Sequence, residues 1–314
     1  MKKILVTGGA GFIGYHLSLE LSKKNQVTII DNFSRGKLDA KLSELVKNKN
    51  IKFIKKDINK EITINEKFDY IFHLAATVGV KNVKKSPLFT FQNNIIPTFN
   101  LINYLKKTNK NCIFVFFSTS EVYSPLIKIK KNVFPLLESY DLILPNITNN
   151  RDSYFISKIF VEHFLKLSGV KYIIYRPHNI YGPRMGMSHV IPELIKKIIL
   201  EKNKYVKIFS PGHKRVFCYI DDCIKQIIFS CFKKKYLNKV LNIGSNQKEI
   251  KIYHLAKLIN ALSSNNKKLI KSIDTPGSPY RRIPDVKKIT KKIKNYNETK
   301  LLDGIKKTIK WYKK

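Results

Sequence analysis

The chain has 314 residues, of which 43% are hydrophobic, so it can bury a large core, and its longest strongly apolar run (112–117) is too short to cross a membrane. Its net charge is +38, and the 53 lysines are scattered through every predicted element. We therefore attribute the charge to a general Lys-, Ile- and Asn-rich composition and not to a nucleic-acid or membrane-surface binding function. The four cysteines form no C-x-x-C pair, so we expect reduced thiols in a cytoplasmic protein and no metal site.

Apolar runs predict strands near 2–7, 26–31, 51–56, 69–74, 112–118, 171–176 and 240–243. Helical periodicity between them predicts helices near 12–24, 37–48, 88–107, 153–168, 221–233 and 252–264. The chain starts directly with a strand, and we therefore expect no signal peptide. This alternation predicts an α/β fold, a Rossmann doubly wound parallel sheet with a smaller C-terminal substrate-binding lobe.

A glycine-rich motif follows the first predicted strand. Gly9, Gly11 and Gly14 match G-x-G-x-x-G between a strand and a helix. The first glycine allows a tight turn, the second lets the backbone approach a pyrophosphate, and the third lets helix and strand pack closely. The N-terminus of the helix supplies unpaired N–H groups for phosphate oxygens. The motif therefore predicts a dinucleotide site.

Asp31 ends the second predicted strand, where a carboxylate can accept hydrogen bonds from an adenosine ribose. A carboxylate there would repel the 2′-phosphate of NADP, so the sequence favours NAD, although Arg35 lies nearby. The candidate cofactor-binding residues of this unit are Gly8, Gly11, Phe12, Ile13, Asp31, Asn32 and Arg35.

Tyr154 and Lys158 share one face of a predicted helix. A phenol has a pKa near 10, which is too high for a base at neutral pH. A cation about 4 Å away contributes on the order of 4 kcal/mol at an effective dielectric near 20. With the positive nicotinamide ring, Lys158 would allow Tyr154 to take a proton from a substrate hydroxyl while a hydride leaves to NAD.

Hydroxyl groups follow the buried run 112–117, at the sheet edge where ligands bind in such folds. Ser118 and Thr119 could contact the same substrate oxygen as Tyr154, and Glu121 could act as a second base or acid. Taken in isolation, this segment is better explained as a helix-capping Ser/Thr cluster.

The segment 124–151 shows no clear periodicity and contains three prolines, so we predict a long loop over the mouth of the active site. Beyond 176 the prolines multiply. We assign 1–176 to an NAD-binding Rossmann domain, with later segments near 215–245 returning to it, and 177–314 mainly to a substrate-binding lobe. The lysine-rich end carries Leu301, Leu302, Ile305 and Ile309 at helical spacing, which predicts a docked helix.

Taken together, these motifs resemble the extended short-chain dehydrogenase/reductase family, the nucleotide-sugar epimerases, dehydratases and decarboxylases. The resemblance covers nearly the whole chain. It rests on TGGAGFIG at 7–14, Asp31-Asn32, Asp57-Ile58, His73 to Ala76, STSEVY at 118–123, Tyr154-x-x-x-Lys158, Arg176 to Arg184, Arg215 to Asp222, Leu241 to Ser245, and Tyr280 to Asp285.

The resemblance implies roles for further residues. Asp57 and Ile58 would border the adenine, Leu74, Ala75 and Ala76 would line the nicotinamide side, and Asn94 and Ser118 complete the cofactor set with Tyr154 and Lys158. Thr119 would be the catalytic Ser/Thr, Tyr154 the base and Lys158 the cofactor-bound lysine, with Glu121 beside them. Asn179, Arg184, Arg215 and Arg282 would bind the nucleotide diphosphate or the sugar, although Asn179 is equally explained as a turn residue. Helices 88–107 and 153–168 resemble those of a homodimer interface.

The implied reaction is oxidation of the sugar C4 hydroxyl of a nucleotide-diphosphate sugar by hydride transfer to NAD. Epimerisation, dehydration or release of the 4-keto sugar would follow. Thr119-Ser120-Glu121 resembles both the GDP-mannose dehydratases and the UDP-glucuronate decarboxylases, and the segment 282–285 favours an alternative, a UDP-glucuronate decarboxylase-like enzyme. The apolar loop 124–151 and the residues 151–153 argue against both. Alternatives of another class are a non-catalytic NAD-binding regulator, against which the intact Tyr154/Lys158 pair argues, and a basic nucleic-acid binder.

Pro97 interrupts the pattern of the helix predicted at 88–107. Proline lacks the N–H that a helix interior uses. The sequence therefore leaves two possibilities, a helix that is kinked at Pro97 or one that begins there.

Overall fold

The structure, a computed structural model, describes residues 1–130, 132–146 and 149–313, without the side chains of 80–82. The strands are β1 (Lys3–Thr7), β2 (Gln26–Asp31), β3 (Ile51–Lys55), β4 (Tyr70–His73), β5 (Ile113–Phe117), β6 (Lys171–Pro177), β7 (Ile180–Tyr181), β8 (Tyr205–Ile208), β9 (Lys214–Arg215), β10 (Cys218–Tyr219), β11 (Lys239–Ile243), β12 (Ile250–Lys251), β13 (Lys268–Lys271) and β14 (Arg281–Arg282).

The α-helices are α1 (Phe12–Leu21), α2 (Ala40–Leu45), α3 (Val80–Lys85), α4 (Pro87–Thr108), α5 (Ser124–Ile129), α6 (Asp152–Leu167), α7 (Val190–Ile195), α8 (Ile220–Cys231), α9 (Ile252–Ala261), α10 (Lys287–Thr290) and α11 (Leu301–Tyr312). Short 3-10 turns occupy Ser120–Tyr123 and Lys234–Tyr236, and a π-helical turn occupies Lys196–Leu200. Within the described ranges, every helix is too short or too polar to span a bilayer.

The main sheet has seven strands in the order β11-β6-β5-β4-β1-β2-β3, and β1 to β6 pair in parallel. Apolar residues fill β5 because both faces of such a sheet are covered by helices. The order reverses between β1 and β4, which is where ligands bind in doubly wound folds. The predicted Rossmann fold class is confirmed.

Two compact units divide the chain. The first comprises 1–125, 142–176 and 227–241 and contains the main sheet. Its core includes Leu5, Ile71, Phe114, Phe116 and Leu165. The second comprises 126–141, 177–226 and 242–314 and holds three small sheets, β10-β7, β12-β9-β14 and β13-β8.

The segment predicted as a long loop differs from that expectation. Residues Ser124–Ile129 form α5, since Pro125 near its start needs no N–H partner there and its ring suits the helical φ. Leu136 forms an isolated bridge with Pro284 in the second unit. Residues 131, 147 and 148 of this segment lie outside the described residues.

Two other predictions concern helices, α4 and the C-terminal helix. Helix α4 begins at Pro87 and runs through Pro97, so the alternative of a helix beginning at Pro97 is wrong. The terminal helix is present at Leu301–Tyr312, with Ile305 and Ile309 buried and Leu302 exposed. All four cysteines are buried and carry free thiols.

Candidate active site

The glycine-rich turn joins β1 to α1. Gly8 takes the left-handed backbone conformation with φ +74°, and a Cβ there would lie 2.7 Å from the Ala75 nitrogen. A Cβ on Gly14 would overlap the carbonyl oxygen of Gly8, so α1 packs directly on the turn. Gly9 lies within the tight turn that the Gly11 N–H closes on the Gly8 carbonyl at 3.0 Å, and it must be small because Ile29 fills the space beside it; the positive φ of this turn is at Gly8.

Asp31 lies at the end of β2 and holds the glycine-rich turn in place. One carboxylate oxygen accepts from the Ala10 nitrogen at 3.1 Å and the other from the Phe33 nitrogen at 2.8 Å. Burial raises the pKa of Asp31, while these backbone bonds and the charge of Arg35 oppose the shift.

A cleft of the first unit runs along this edge of the sheet. Its wall contains most of the predicted cofactor residues: Gly8, Gly11, Asp31, Asn32, Arg35, Asp57, Ile58, Leu74, Ala75 and Ala76. Phe12 and Ile13 form the first turn of α1, whose N-terminus follows Gly11. Backbone N–H groups at a helix start, small residues that let a ligand approach the chain, and a carboxylate at the end of β2 suit a dinucleotide.

Arg35 connects this cleft with the predicted base. It lines the cleft and interacts electrostatically with both Tyr154 and Asp31. Desolvation lowers the pKa of Arg35, and the charges of Tyr154 and Asp31 oppose that change. Tyr154 on α6 therefore lies near the same cleft as the predicted ribose acceptor.

Lys158 is buried at the ends of two neighbouring strands. Its ammonium donates to the carbonyl oxygen of Phe117 at 3.0 Å and lies 4.7 Å from the centre of the Phe116 ring. Burial lowers its pKa to about 7, and the carboxylate of Glu162 opposes this shift.

His73 ends β4 close to Lys158. Its Nδ1 is 2.8 Å from the Thr7 hydroxyl, which links β4 to β1. Burial, and then the charge of Lys158, lower the pKa of His73 to about 3. His73 is therefore a neutral side chain at physiological pH.

A buried polar network lies behind Lys158. The Ser118 hydroxyl donates to Glu162 Oε1 at 2.5 Å. Arg176 donates to both oxygens of Glu162, at 3.0 and 2.6 Å, and to the Tyr123 hydroxyl at 2.7 Å. Its guanidinium also lies 4.8 Å from the centre of the Tyr123 ring.

Thr119 and Glu121 lie on the turn after β5. The Thr119 hydroxyl accepts from the Glu121 nitrogen at 3.2 Å and so caps this turn. Glu121 faces Arg151, the residue before α6, with 3.6 Å between a carboxylate oxygen and a guanidinium nitrogen.

Asn94 on α4 is part of the frame of this site. Its side chain accepts from the Thr77 nitrogen at 2.7 Å and donates to the Ser157 hydroxyl at 3.1 Å. Ser157 in turn donates to the carbonyl of Tyr154 at 2.6 Å. Asn94 therefore connects the segment after β4 to the helix of Tyr154.

The predicted substrate residues all lie in the second unit. Arg215 and Arg282 are partners in the register of β9 and β14. The Arg215 guanidinium donates to the carbonyl groups of Lys214, Pro279 and Tyr280 and to the Ser278 hydroxyl. Asn179, at φ +44°, donates to the carbonyl of Val216 at 2.9 Å, and Arg184 has φ +67°.

Sequence reasoning missed several polar partners of this site, above all Glu162. One signal was available: Glu162 follows Lys158 by four residues on a buried helix face, in a chain with only 22 acidic residues. Among the residues described, no group of three or more His, Cys, Asp or Glu side chains is placed to hold a metal ion.

Comparisons with known proteins agree with this geometry. The model of the NAD dependent epimerase/dehydratase family matches residues 4–244. UDP-N-acetyl-alpha-D-glucosaminuronate decarboxylase of Bacillus cytotoxicus is 32% identical over 99% of this chain and 98% of that protein.

Two solved structures are similar over almost their whole length. UDP-N-acetylglucosamine 4-epimerase of Methanobrevibacter ruminantium, in complex with UDP-N-acetylmuramic acid, has a TM-score of 0.83 at 28% identity, covering 99% of this chain and 98% of that one. UDP-glucuronic acid 4-epimerase of Bacillus cereus, in complex with UDP-glucuronic acid and NAD, has a TM-score of 0.78 at 27% identity, covering 99% of each chain.

The glycine-rich turn, the acid at the end of β2 and the Tyr-x-x-x-Lys helix thus occur in a chain that matches one family over most of its length. The chain belongs to the NAD dependent epimerase/dehydratase family, and it is an enzyme that uses NAD as its cofactor.

Proposed function

We propose that this enzyme oxidises the C4 hydroxyl of a UDP-sugar and then reduces the 4-keto sugar again, with NAD regenerated in each turnover. The observation that carries the proposal is the position of Tyr154 and Lys158. Lys158 contacts the end of β5, and Arg35 interacts with Tyr154 from the cleft that holds the predicted cofactor residues. The UDP-sugar names of the relatives support UDP as the nucleotide.

Tyr154 serves as the base and later as the acid. Its phenolate oxygen takes the proton of the C4 hydroxyl as that carbon loses its hydride, and it returns the proton when the ketone is reduced. Lys158 supplies the positive charge that stabilises the phenolate. Thr119 holds the reacting oxygen through its hydroxyl group.

The residues along the cleft hold the cofactor. Gly11 and the start of α1 take the pyrophosphate, Asp31 the adenosine ribose, Asp57 and Ile58 the adenine, and Leu74 to Ala76 the nicotinamide side. Bound NAD would supply a hydride acceptor for C4 and, in its reduced form, a hydride donor for either face of the ketone.

The second unit takes the nucleotide end of the substrate. Arg215 and Arg282 are adjacent in register on β9 and β14, so two guanidinium groups belong to one small sheet. A guanidinium can bind two phosphate oxygens at once, which suits a diphosphate. In this proposal Arg215 exchanges part of its bonds to Lys214, Pro279, Tyr280 and Ser278 for bonds to phosphate oxygens. Asn179 and Arg184, on the segment that follows β6, complete this proposed set.

Decarboxylation of a UDP-uronate is the second candidate. It is favoured by the 32% identity to a UDP-sugar-uronate decarboxylase over nearly the whole chain. A C4 ketone is β to the C6 carboxylate, so the C5–C6 bond can break with release of CO2. Its electron pair forms the C4–C5 enolate, which is then protonated at C5. Glu121, on the turn after β5, is the candidate acid for that step, and it must take up a proton from solvent before it can donate one to C5.

The active enzyme is a homodimer in this proposal, formed through α4 and α6. Leu88, Phe89, Ile96 and Phe160 on these helices are exposed although they are large and apolar. Exposed apolar side chains on two helices of this kind are consistent with a protein interface. A cytoplasmic location is supported by the four free thiols, which suit a reducing compartment.

A panel of UDP-, GDP-, CDP- and dTDP-sugars, with product masses recorded, tests the function. Epimerisation leaves the mass unchanged but moves the product in chromatography, whereas decarboxylation of a uronate removes CO2. The Tyr154→Phe variant should bind NAD and lose turnover. A fully active Tyr154→Phe enzyme, or a wild type inactive on every sugar, contradicts the proposal.

A further inference from the structure

Glu162 and Arg176 form an ion pair in the interior of the first unit. Their side chains are 0% and 2% exposed. Two nitrogens of the guanidinium donate to the two carboxylate oxygens, at 3.0 and 2.6 Å. This two-point geometry fixes the relative orientation of both groups, which a single contact would not.

The pair joins the segments that carry the proposed catalytic residues. Glu162 lies one helical turn after Lys158 on α6, and it accepts from Ser118, the residue before Thr119. Arg176 on β6 donates to Tyr123, on the turn that also carries Glu121. The end of β5, the turn Ser120–Tyr123 and helix α6 therefore all connect to the Glu162–Arg176 ion pair.

Stability alone explains this pair poorly. Removing two charges from water is costly, and apolar residues of similar size often stabilise an interior as well or better. What the pair supplies, and an apolar cluster does not, is a fixed arrangement of hydrogen-bonded groups. That property matters most where reacting groups must be placed within a fraction of an ångström.

We infer that Glu162 and Arg176 are positioning residues of the hydride-transfer site, holding Thr119 on its turn in register with Tyr154 and Lys158 on α6. Neither side chain needs to touch substrate or cofactor for this role. This inference rests on the proposed function. The experiment below distinguishes a failure of the positioning role from a failure of the proposed function.

Glu162 also acts on Lys158 electrostatically, because its carboxylate favours the protonated ammonium. The charged and titratable groups that act on Lys158 are Glu162 on α6, His73 at the end of β4 and, through Glu162, Arg176 on β6. Glu162 is the one that raises the pKa of Lys158 against the effect of burial. Without that carboxylate, Lys158 would lose its proton at lower pH.

The direct test replaces the carboxylate by its amide, Glu162→Gln. We expect kcat to fall by about tenfold or more while KM and the Kd for NADH stay within about threefold of wild type. The alkaline limb of the kcat–pH profile should move to lower pH, a change that loss of stability alone would not produce. Tyr175→Phe is the matched control. It removes the buried hydrogen bond from Tyr175, the neighbour of Arg176 on β6, to Ser230 at 2.7 Å, and should leave kcat and its pH profile unchanged.

A second variant covers the case in which an unpaired Arg176 unfolds the protein. Glu162→Gln combined with Arg176→Met removes both charges, and we expect a folded protein by circular dichroism whose kcat is again reduced by about tenfold. A folded variant with wild-type kcat and an unmoved pH profile overturns the inference. If the wild-type enzyme turns over no nucleotide sugar, the proposed function is contradicted. If the wild type is active and the variants are unaffected, only the positioning role is contradicted.

Discussion

The ammonium group of Lys158 donates to the carbonyl oxygen of Phe117 at the last position of β5. A buried ammonium at this point needs a strong acceptor, and the carbonyl oxygen at the strand end supplies one. The same group lies over the ring of Phe116. The cation required beside Tyr154 is thus held by the backbone that leads into Ser118 and Thr119.

Replacing this cation should separate activity from stability. Lys158→Met keeps the length of the side chain but removes the charge, and we expect kcat to fall by about 100-fold or more because the phenolate of Tyr154 loses its support. Turnover of the substrate found in the sugar panel, with NADH affinity measured by fluorescence, checks this. Unchanged kcat would contradict the role of Lys158.

The same variant predicts a pH dependence of stability. Burial lowers the pKa of Lys158 to about 7, below its value of 10.5 in an unfolded chain. Between these values the unfolded state binds more protons, so wild-type stability rises with pH. The difference in the free energy of unfolding, wild type minus Lys158→Met, should therefore increase by about 1.4 kcal/mol per pH unit across this window. Urea unfolding of both proteins at several pH values measures the difference, and a constant difference would contradict it.

His73 predicts the matching effect on the acid side. Its pKa is lowered from 6.5 to about 3, so the folded state resists a proton that the unfolded state accepts. Stability should then be lost as pH falls below 6.5, by up to about 1.4 kcal/mol per unit, and His73→Asn should lack this part of the loss. His254→Asn, on the exposed surface of α9, is the control and should stay within about 0.5 kcal/mol of wild type at each pH. Parallel stability curves for wild type and His73→Asn would exclude the buried neutral histidine.

The strands of the main sheet were predictable because each one has a local sequence pattern of its own. A strand covered on both faces is a short apolar run, and the glycines and Asp31 that follow β1 and β2 have a fixed place in the motif. The left-handed backbone of Gly8 was not predicted, because the motif spacing does not report φ. The close approach of Ala75, which leaves no room for a Cβ on Gly8, is a tertiary contact that the motif does not report either.

The missed features depend on pairing across long sequence distances. Strands β8 and β13 pair although more than fifty residues separate them, and neither segment shows a pattern that names the other. Glu162 and Arg176 were visible only as one residue on a helix and one in a strand. The helix at Ser124–Ile129 was hidden because Pro125 was treated as a breaker, whereas near a helix start it is favourable.

Gly14 tests the glycine-rich turn directly. A Cβ on Gly14 would overlap the Gly8 carbonyl, and backbone cannot move aside as a flexible side chain can. Gly14→Ala should destabilise the protein by about 1–3 kcal/mol and raise the Kd for NADH by about tenfold or more, because the turn must shift. Gly186→Ala is the control, since a Cβ there meets no atom within 4 Å. Equal NADH affinity in both variants would show that the turn does not contact the cofactor.

Asp31 should determine the preference between the two nicotinamide cofactors. Asp31→Asn keeps one acceptor for the backbone of the turn, loses the negative charge and removes an acceptor for the ribose. We expect the Kd for NAD to rise by about tenfold and the discrimination against NADP to shrink, because the repulsion of the 2′-phosphate is gone. Titration of wild type and variant with NADH and NADPH gives both ratios, and an unchanged ratio would remove Asp31 from the ribose site.

The proposed dimer makes a prediction on one exposed residue of α6. Phe160 is 44% exposed and lies against Phe91 and Phe99 of α4, with ring centres 6.4 and 6.3 Å apart. A carboxylate at this position would be buried in the interface without a partner, so Phe160→Glu should weaken dimerisation by about 100-fold or more while the monomer stays folded. Leu19→Glu on α1 is the control, because Leu19 is 40% exposed and lies outside the two helices. Sedimentation velocity at tens of micromolar should show a dimer for wild type and Leu19→Glu and a monomer for Phe160→Glu. A Phe160→Glu protein that sediments as a dimer would place the interface elsewhere, and a monomeric wild type would exclude the dimer.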